Sequence, residues 1–312
     1  MSTSLIAAPD RDTAPERHVP RLTPADAVPK MWYPTQLPPR ADGQHLHQLS
    51  QTSIDQLLRC PEQFRLERIN QIRKPKAGVM VLGSAVEAGI NYMLQARIDG
   101  RLHEVSIHDC LDKYHTVWAE EESYGVDYSE RPRGELIDIG ARLVAYYLHK
   151  DGMAATFEPA ALQIKQQFTL ADGLKWTVVG YLDILATDGR VIDLKAKNRI
   201  IEPYKADRNF QATLYLAFRA WQGTPAPRFE FHTLNTTASQ PAGGITPTTR
   251  TPRQLNAVGI RVAQAARTLD ALYQRFGPDE PWTYAEADHW VVGYASFRRR
   301  ARARPPKTAG TS

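Results

Sequence analysis

An acidic residue stands inside each of two consecutive, strongly apolar segments of this chain. Asp183 lies within 178–185 (VVGYLDIL), and Asp193 lies within 191–195 (VIDLK), two residues before Lys195. The β-branched and aliphatic composition of both segments is typical of buried strands. Burying a charge costs free energy unless the charge is paired or bound to a metal. Any fold of this chain must therefore bring these charges together.

A short turn between the two strands sets their relation. Asp188-Gly189 separates them, so Asp183 can lie beside Asp193. Asp193 and Lys195 share one face, because alternate residues of a strand point the same way. Hard divalent ions prefer oxygen ligands, so two carboxylates beside an ammonium favour an Mg²⁺ or Mn²⁺ site over a structural salt bridge. For Asp193-Leu194-Lys195 taken alone, an ion pair at a strand edge would be the better explanation.

The rest of the chain alternates between helical and strand patterns, and order is expected to begin at Leu49. Neither GxGxxG nor GxxxxGK[ST] occurs, which excludes the common phosphate-binding loops. The element order predicts one α/β domain with a helical N-terminal part. One predicted helix begins near Ser50 or Ser53, a second runs from Pro61 to about Ile69, and a third follows the run 81–87 and continues to about Ile98. Further helices are predicted at 106–122, 134–150, 208–221 and about 252–275. The predicted strands lie at 160–170, 175–186, 190–195 and 229–234, with a hairpin turn at Asp172-Gly173 and a polar loop at 235–250.

Composition narrows the class of protein further. The chain has 312 residues, of which 42% are hydrophobic and 23% charged, as in an ordinary globular protein. No apolar run approaches the ~20 residues of a membrane span, and the N-terminus lacks a secretory signal, so we expect a cytoplasmic protein without a membrane partner. Two cysteines, Cys60 and Cys110, are too few for a disulfide framework. The net charge of +5 favours a polyanionic partner.

Five segments along the chain form an ordered set: 49–54 with 60–64 (LSQTSI and CPEQF), 83–87 (GSAVE), 180–183 (GYLD), 193–195 (DLK) and 211–215 (QATLY). In order and with suitable spacing, they resemble the opening helix and the GxxxH, GxxD, (D/E)xK and QxxxY motifs of the RecB-like PD-(D/E)xK nucleases, which include CRISPR-associated and helicase-linked exonucleases. The resemblance covers about residues 49–300 and implies an α/β, restriction-endonuclease-like core, in which a mixed central sheet is flanked by helices.

The resemblance assigns roles around a metal. It implies that Asp183 and Asp193 bind Mg²⁺ or Mn²⁺ together with the backbone carbonyl of Leu194, and that Lys195 is the catalytic lysine. A metal in such a site lowers the pKa of its water and polarises the phosphoryl oxygen, while the lysine stabilises the developing charge. The implied function is a metal-dependent DNA nuclease, in particular an exonuclease of recombination, repair or phage DNA metabolism.

Further residues are candidates for supporting the site or binding nucleic acid. Gln211 and Tyr215 lie one helical turn apart and, by the resemblance, support the site and contact nucleic acid; a packed helix face also explains Tyr215. Ser53 on the opening helix is a further candidate contact. Lys197 and Asn198 are candidate phosphate contacts, although a solvated strand end explains them equally well. Arg298, Arg299 and Arg300 begin a basic tail that either binds phosphate or is simply solvated.

The sequence departs from the family at the usual histidine, which is Glu87 here. Glutamate also binds hard cations, so we expect Glu87 to be a metal ligand and the activity to survive. The alternative is a catalytically weak module of the same fold, which binds DNA ends or a partner protein.

A second departure concerns iron. Many relatives hold a [4Fe–4S] cluster with one early cysteine, matched here by Cys60, and three late ones, whose spacing falls on Val292, Ala295 and Ala301. The cluster needs thiolates, and this chain cannot supply four, so we expect no iron–sulfur cluster.

Three regions follow from these patterns. Residues 1–46 are proline-rich and predict a poorly ordered leader, 47–297 form the predicted nuclease domain, and 298–312 are the basic tail. The expected partners are DNA and a separate helicase or recombination protein, because the chain carries no ATPase motif of its own.

Overall fold

A computed structural model describes residues 48–70, 75–169, 177–237 and 239–282. The predicted leader, the Asp172-Gly173 turn, the segment around 290–301 and the arginine tail lie outside the described residues. The boundaries expected at residues 46 and 297 therefore stay predictions.

The first half of the described chain is mostly helical, and the second half carries most of the strands. In chain order, β1 spans Gln48–Ser50, α1 Gln51–Arg59, α2 Pro61–Phe64, β2 Lys76–Ala77, α3 Gly78–Ile98, α4 Ile107–Glu122, β3 Val126–Asp127, α5 Arg133–Leu148, β4 Pro159–Thr169, β5 Thr177–Ala186, β6 Val191–Lys197, α6 Pro203–Asp207, α7 Phe210–Trp221, β7 Phe229–Asn235, β8 Gly243–Thr248 and α8 Pro252–Phe276. None of the helices in these described ranges is long and apolar enough to cross a membrane.

Local sequence explains where the first helix begins. The hydroxyl of Ser50 accepts a hydrogen bond from the backbone N–H of Ser53, and the Ser53 hydroxyl accepts one from the Ser50 N–H. This reciprocal pair satisfies two of the amides that a helix start leaves without an intrahelical partner. The chain thus passes from β1 directly into α1, and both elements are anchored beside β5.

One mixed sheet of six strands dominates the described part of the chain. β5 is its centre: β4 pairs antiparallel with β5 along one edge, while the opposite edge pairs first with β1, in parallel, and then with β6, antiparallel. β6 continues in parallel with β7, and β7 pairs antiparallel with β8. The sheet is flanked by helices, which confirms the predicted restriction-endonuclease-like class.

The stretch 235–250, predicted to be a polar loop, is in part a strand. β8 lies within it and pairs with β7 over six residues, from Gly243 to Thr248. Its Gly, Thr and Pro composition gives no strand signal, yet Pro247 is tolerated because β8 pairs with β7 alone among the described strands. The prediction of a loop was therefore wrong for these residues. The short strand β1 and the small β2–β3 pair were also not predicted.

The two faces of the sheet pack against different sets of helices. One face, called here the α7 face, is covered by α1, α7 and α8, and its core includes Phe218 and Leu269. The other, called here the α3 face, is covered by α3, α4 and α5, and its core includes Ile90 and Trp118. Each core places fully buried side chains against the sheet, and burying one such side chain stabilises the fold by roughly 1.5–3 kcal/mol.

On the neighbouring strands β4 and β5, the regular alternation of side chains between the two faces of the sheet is broken at the same position along the strands. On β5, Leu182 packs in the core of the α7 face, yet Ile184 packs in that of the α3 face. On β4, Ile164 and Leu162 divide between the two cores in the same way. Residues two apart in a regular strand share one face, so the alternation breaks between them on both strands.

The buried end of β7 is held by a charged cluster. Glu230 is almost fully buried and accepts hydrogen bonds from Arg190 and Arg228. Burial alone would raise the pKa of Glu230, but its bonds with His232, Arg190 and Arg228 lower that pKa to about 2. The imidazole of His232 in turn lies 2.9 Å from the Tyr147 hydroxyl, which links the sheet to α5. The carboxylate therefore remains charged inside the core, because it is paired and hydrogen-bonded there.

Gly180 generates a prediction about stability. A Cβ at this position would lie 2.6 Å from Cε1 of Tyr215 and 3.1 Å from Cε2 of Phe218, so Gly180→Ala should force α7 away from β5. Overpacking of this kind costs roughly 1–3 kcal/mol. Thermal unfolding should show a lower Tm for Gly180→Ala, whereas Gly134→Ala, where a Cβ would meet nothing within 4 Å, should leave the Tm unchanged or slightly raised. Equal Tm values for the two variants would contradict this packing.

Candidate active site

The site is built where β5 and β6 separate. These strands pair only at Ile184 with Ile192 and at Leu185 with Val191. Two residues beyond Ile192, the N–H of Leu194 donates a hydrogen bond of 3.0 Å to Oδ2 of Asp183 instead of to a backbone carbonyl. The Asp183 side chain thus lies in the gap between the strands. The carbonyl of Leu194 faces the same gap, since the N–H and C=O of one strand residue point to the same side.

Asp193 is the most buried acid of the group, with 1% of its surface exposed. Its Oδ1 accepts hydrogen bonds from Nζ of Lys195, at 2.9 Å, and from Nε2 of Gln211, at 2.7 Å. Its Oδ2 lies 2.8 Å from the same Nζ, at an angle too poor for a hydrogen bond, and has no hydrogen-bond partner. A buried carboxylate oxygen in this state retains a lone pair for a further ligand.

Helix α7 supplies two of the predicted residues. Its first turn, capped by the Asn209 side chain, presents Gln211 to Asp193. Tyr215 follows one turn later and is buried against Gly180. Burial, followed by the charge of Asp193, raises the pKa of the Tyr215 hydroxyl, although its contacts with Gln211 and the backbone of Tyr181 partly lower it. Gln211 and Tyr215, the two candidates on this helix, therefore lie together beside Asp193.

Glu87 approaches from α3, on the opposite side of the sheet from α7. Its carboxylate accepts a hydrogen bond from Nε2 of Gln163 on β4. Burial is the main cause that raises the pKa of Glu87, and the charge of Asp193 raises it further, while Lys195 and the bond from Gln163 lower it. These mutual effects mean that Glu87 shares the electrostatic environment of Asp193 and Lys195.

The carboxylates repel one another, and one ammonium offsets part of that repulsion. The pKa of Asp183 is raised well above its usual range, by burial first and then by the charges of Asp193 and Glu87. Burial alone would lower the pKa of Lys195, but Asp193 and Asp183 raise it above the usual value. An ammonium in this position can stabilise negative charge on a bound substrate.

This donor set fits a hard divalent cation. Three carboxylates and a backbone carbonyl supply only oxygen ligands, and the unbonded Oδ2 of Asp193 is a ready one. Among the described residues, no three side chains of the ligand types Asp, Glu, His or Cys yet stand close enough to form a complete ligand shell. The hydrogen bonds from Lys195 and from Gln163 each involve one oxygen of a carboxylate, Oδ1 of Asp193 and Oε1 of Glu87 respectively.

The candidate contacts to nucleic acid are placed differently from one another. Lys197 is exposed beyond Lys195 on the same face of β6, and burial and the charge of Lys195 lower its pKa. Asn198 is exposed at the strand end. Ser53 is buried and its hydroxyl is used within the cap of α1, so its predicted contact with nucleic acid gains no support. Arg298, Arg299 and Arg300 lie outside the described residues.

The region near Cys60 is packed against the last described residue, Trp282. Trp282 stacks on Phe64, and its backbone N–H donates a 2.7 Å hydrogen bond to the carboxylate of the fully buried Glu62. The end of the described chain is thus docked beside Cys60, which is buried. The positions Val292, Ala295 and Ala301 lie beyond the described residues, so the packing expected for them stays a prediction.

One residue of the site, Gln163, was not predicted from sequence. It lies in 160–170, a stretch of alternating polar and apolar residues in which nothing distinguishes it from Gln167. Its contact with Glu87 joins β4 to α3, and contacts between distant elements leave no mark in a local pattern.

The geometry agrees with the comparison to known proteins. The sequence model of the PD-(D/E)XK nuclease superfamily matches residues 48–291, so the chain belongs to that superfamily. It is therefore a nuclease, a hydrolase of phosphodiester bonds, from a superfamily whose members generally use divalent metal ions.

A solved structure supports the same fold. A "putative exonuclease" from Eubacterium rectale superposes with a TM-score of 0.53 over 85% of this chain and 91% of that one, at 12% sequence identity. At this identity the likeness speaks for the fold alone. No curated protein matches the chain.

The raised pKa of Asp183 generates a prediction about pH. A carboxyl whose pKa is higher in the folded than in the unfolded protein contributes stability below the unfolded value of about 3.9, and that contribution is lost as the pH rises through the folded value. In EDTA at pH 7, Asp183→Asn should therefore raise the Tm, by roughly 2–4 °C for each kcal/mol of repulsion removed. The asparagine oxygen can still accept from the N–H of Leu194.

The comparison is made by thermal unfolding in EDTA at pH 4 and pH 7. The gain of Asp183→Asn should be larger at pH 7, and Asp151→Asn, at an exposed aspartate, should show no such difference. A lower Tm for Asp183→Asn at pH 7 would show that the negative charge stabilises the metal-free fold.

Proposed function

We propose that this protein is a RecB-like DNA exonuclease that depends on Mg²⁺ or Mn²⁺ and acts in recombination, repair or phage DNA metabolism. The observation that carries the proposal is the carboxylate of Asp193. One of its oxygens accepts hydrogen bonds from Lys195 and Gln211. The other oxygen lies 2.8 Å from the same ammonium but is buried without a hydrogen bond. A carboxylate oxygen that accepts no hydrogen bond keeps a lone pair with which it can bind a cation.

In this proposal the cation is held by Glu87, Asp183, Asp193 and the backbone carbonyl of Leu194. A divalent ion bound there would lower the pKa of a water molecule and neutralise charge on the phosphate. No iron–sulfur cluster takes part, since the two cysteines of the sequence cannot supply its thiolates.

Lys195 is the proposed catalytic lysine. Its ammonium lies within 3 Å of both oxygens of Asp193. From this position it can orient a water molecule and stabilise the negative charge that grows on the phosphate in the transition state. The same contact fixes the lysine side chain before substrate arrives, so little reorganisation is needed during the reaction.

Gln211 and Tyr215 have supporting roles in the proposal. The Gln211 amide keeps the Asp193 carboxylate in one orientation, and Tyr215 keeps α7 packed at a fixed distance from β5. Lys197 and Asn198, exposed just beyond Lys195, are suited to contact the phosphates on one side of the scissile bond.

Two general observations support DNA as the substrate and cleavage from its ends. The net charge of +5 favours a polyanion, and the Eubacterium rectale protein of the same fold is described as an exonuclease of inferred activity. The chain contains no ATPase motif, so unwinding of a duplex would need a separate helicase or recombination protein.

The first test is cleavage of end-labelled linear DNA with Mg²⁺, Mn²⁺ or EDTA. Wild type should cut with either metal and not with EDTA. Asp193→Ala and Lys195→Ala should each lower the rate by at least ~10²-fold, because their charges serve the transition state. Lys150→Ala, which removes an exposed lysine after α5, is the matched control and should cut like wild type. Circular DNA should resist cleavage if the enzyme acts from ends.

The outcomes separate the two functions that the sequence allows. A folded Lys195→Ala protein that cuts at nearly the wild-type rate would refute the proposed mechanism. Wild-type protein that binds DNA ends but cuts under none of these conditions would instead favour the catalytically weak binding module.

The arginine tail is a proposed phosphate-binding segment, and it has its own test. If 298–307 binds phosphates, deleting it should weaken binding to DNA of any sequence and flatten the salt dependence, by a log–log slope of roughly 0.7–0.9 for each phosphate that the tail neutralises. Binding is measured by fluorescence anisotropy between low and moderate salt, with EDTA present to prevent cleavage. An unchanged slope would identify the tail as a solvated extension.

A further inference from the structure

Gln163 has a backbone conformation that its residue type rarely adopts. Its φ is 49°, and it is the single non-glycine residue with a positive φ in the described part of the chain. This left-handed region suits glycine, and other residues occupy it only where the surrounding structure requires it. Such residues are often found at functional sites, so the contacts of Gln163 need an explanation.

Gln163 lies on β4, directly opposite the proposed metal ligand Asp183 on β5. On β4, Leu162 pairs with Ile184 and Ile164 pairs with Leu182, so Gln163 stands opposite Asp183. This is the level at which both strands change faces. The left-handed turn of the backbone lets Leu162 and Ile164 enter different cores while the register with β5 is kept on either side.

The side chain of Gln163 is exposed, yet it is not simply solvated. Its amide nitrogen donates a hydrogen bond to Oε1 of Glu87, across the space between β4 and α3. Glu87 is repelled by the charge of Asp193 and adds to the repulsion on Asp183. Without a donor on the strand, a flexible glutamate would lower its energy by turning away from these acids into solvent. The Gln163 amide opposes that rotation.

We propose that Gln163 is a positioning residue of the active site: from its strained place opposite Asp183, its amide holds the Glu87 carboxylate toward the other two acids. The inference rests on the proposed function, because it assumes that Glu87 is a metal ligand. Gln163 would not touch the cation. Its hydrogen bond would order the Glu87 side chain before the cation binds. Less conformational entropy would then be lost on binding.

The direct test is calorimetric titration of the full-length protein with Mn²⁺, alongside thermal unfolding in EDTA. Gln163→Gly keeps the left-handed backbone and removes the amide, so the Mn²⁺ affinity should fall by about 10-fold or more while the Tm stays equal or rises. Gln167→Gly is the matched control on the same strand. It should lower the Tm, since glycine weakens a regular strand, and leave the Mn²⁺ affinity unchanged.

A double-mutant cycle shows whether the effect passes through Glu87. In a Glu87→Gln background, Gln163→Gly should cause little further loss of Mn²⁺ affinity, because the carboxylate that it positions is already gone. An additional loss as large as that in wild type would overturn the positioning role, and so would a Gln163→Gly protein with wild-type Mn²⁺ affinity.

The failure of this inference can be told from the failure of the proposed function. Metal-dependent cleavage by wild type, together with unchanged Mn²⁺ binding by Gln163→Gly, would refute the role of Gln163 alone. Mn²⁺ binding that depends on Gln163, without cleavage of any DNA, would refute the nuclease reaction alone. Wild-type protein that binds no Mn²⁺ would overturn both.

Discussion

The hydrogen bond from the N–H of Leu194 to Asp183 is the interaction on which the site depends. Two antiparallel strands normally exchange backbone hydrogen bonds, and leaving a buried amide unpaired costs roughly 1–3 kcal/mol. Here a carboxylate takes the place of the missing carbonyl, so β5 and β6 can separate without that cost. The gap admits side chains from both faces of the sheet: Glu87 from the side of α3, and Asp193, with its partner Gln211, from the side of α7.

The electrostatics of the gap follow from this arrangement. Carboxylates that are held close together repel one another, and the single ammonium of Lys195 offsets only part of this repulsion. The fold thus maintains a local excess of negative charge at the cost of some stability, as functional sites commonly do. The backbone of every residue involved belongs to a strand or helix, so the charges could move apart only by rotation of side chains, which the Gln163 amide opposes at Glu87.

Much of this could be predicted from the sequence, because the relevant signals are local. The apolar strands around Asp183 and Asp193, the turn between them, and the helix that presents Gln211 and Tyr215 all occur close to where those patterns predict. The strand within 235–250 could not be predicted, since its composition is that of a loop and its partner is β7. Gln163 was missed for a related reason: hydrophobic alternation indicates a strand, but it does not show where the strand changes faces.

The parallel pairing of β1 with β5 has a consequence for how the protein folds. Leu49 and Val178 are neighbours in the sheet, although all of α1 to α5 and β4 lie between them in the chain. Contacts so distant in sequence close slowly, because the loop entropy must be lost before the pairing gives any stability. The hairpin of β5 and β6 can form early from local contacts. We therefore expect β1 to join after this hairpin, and the site to be fully supported only once α7 has brought Gln211 to Asp193.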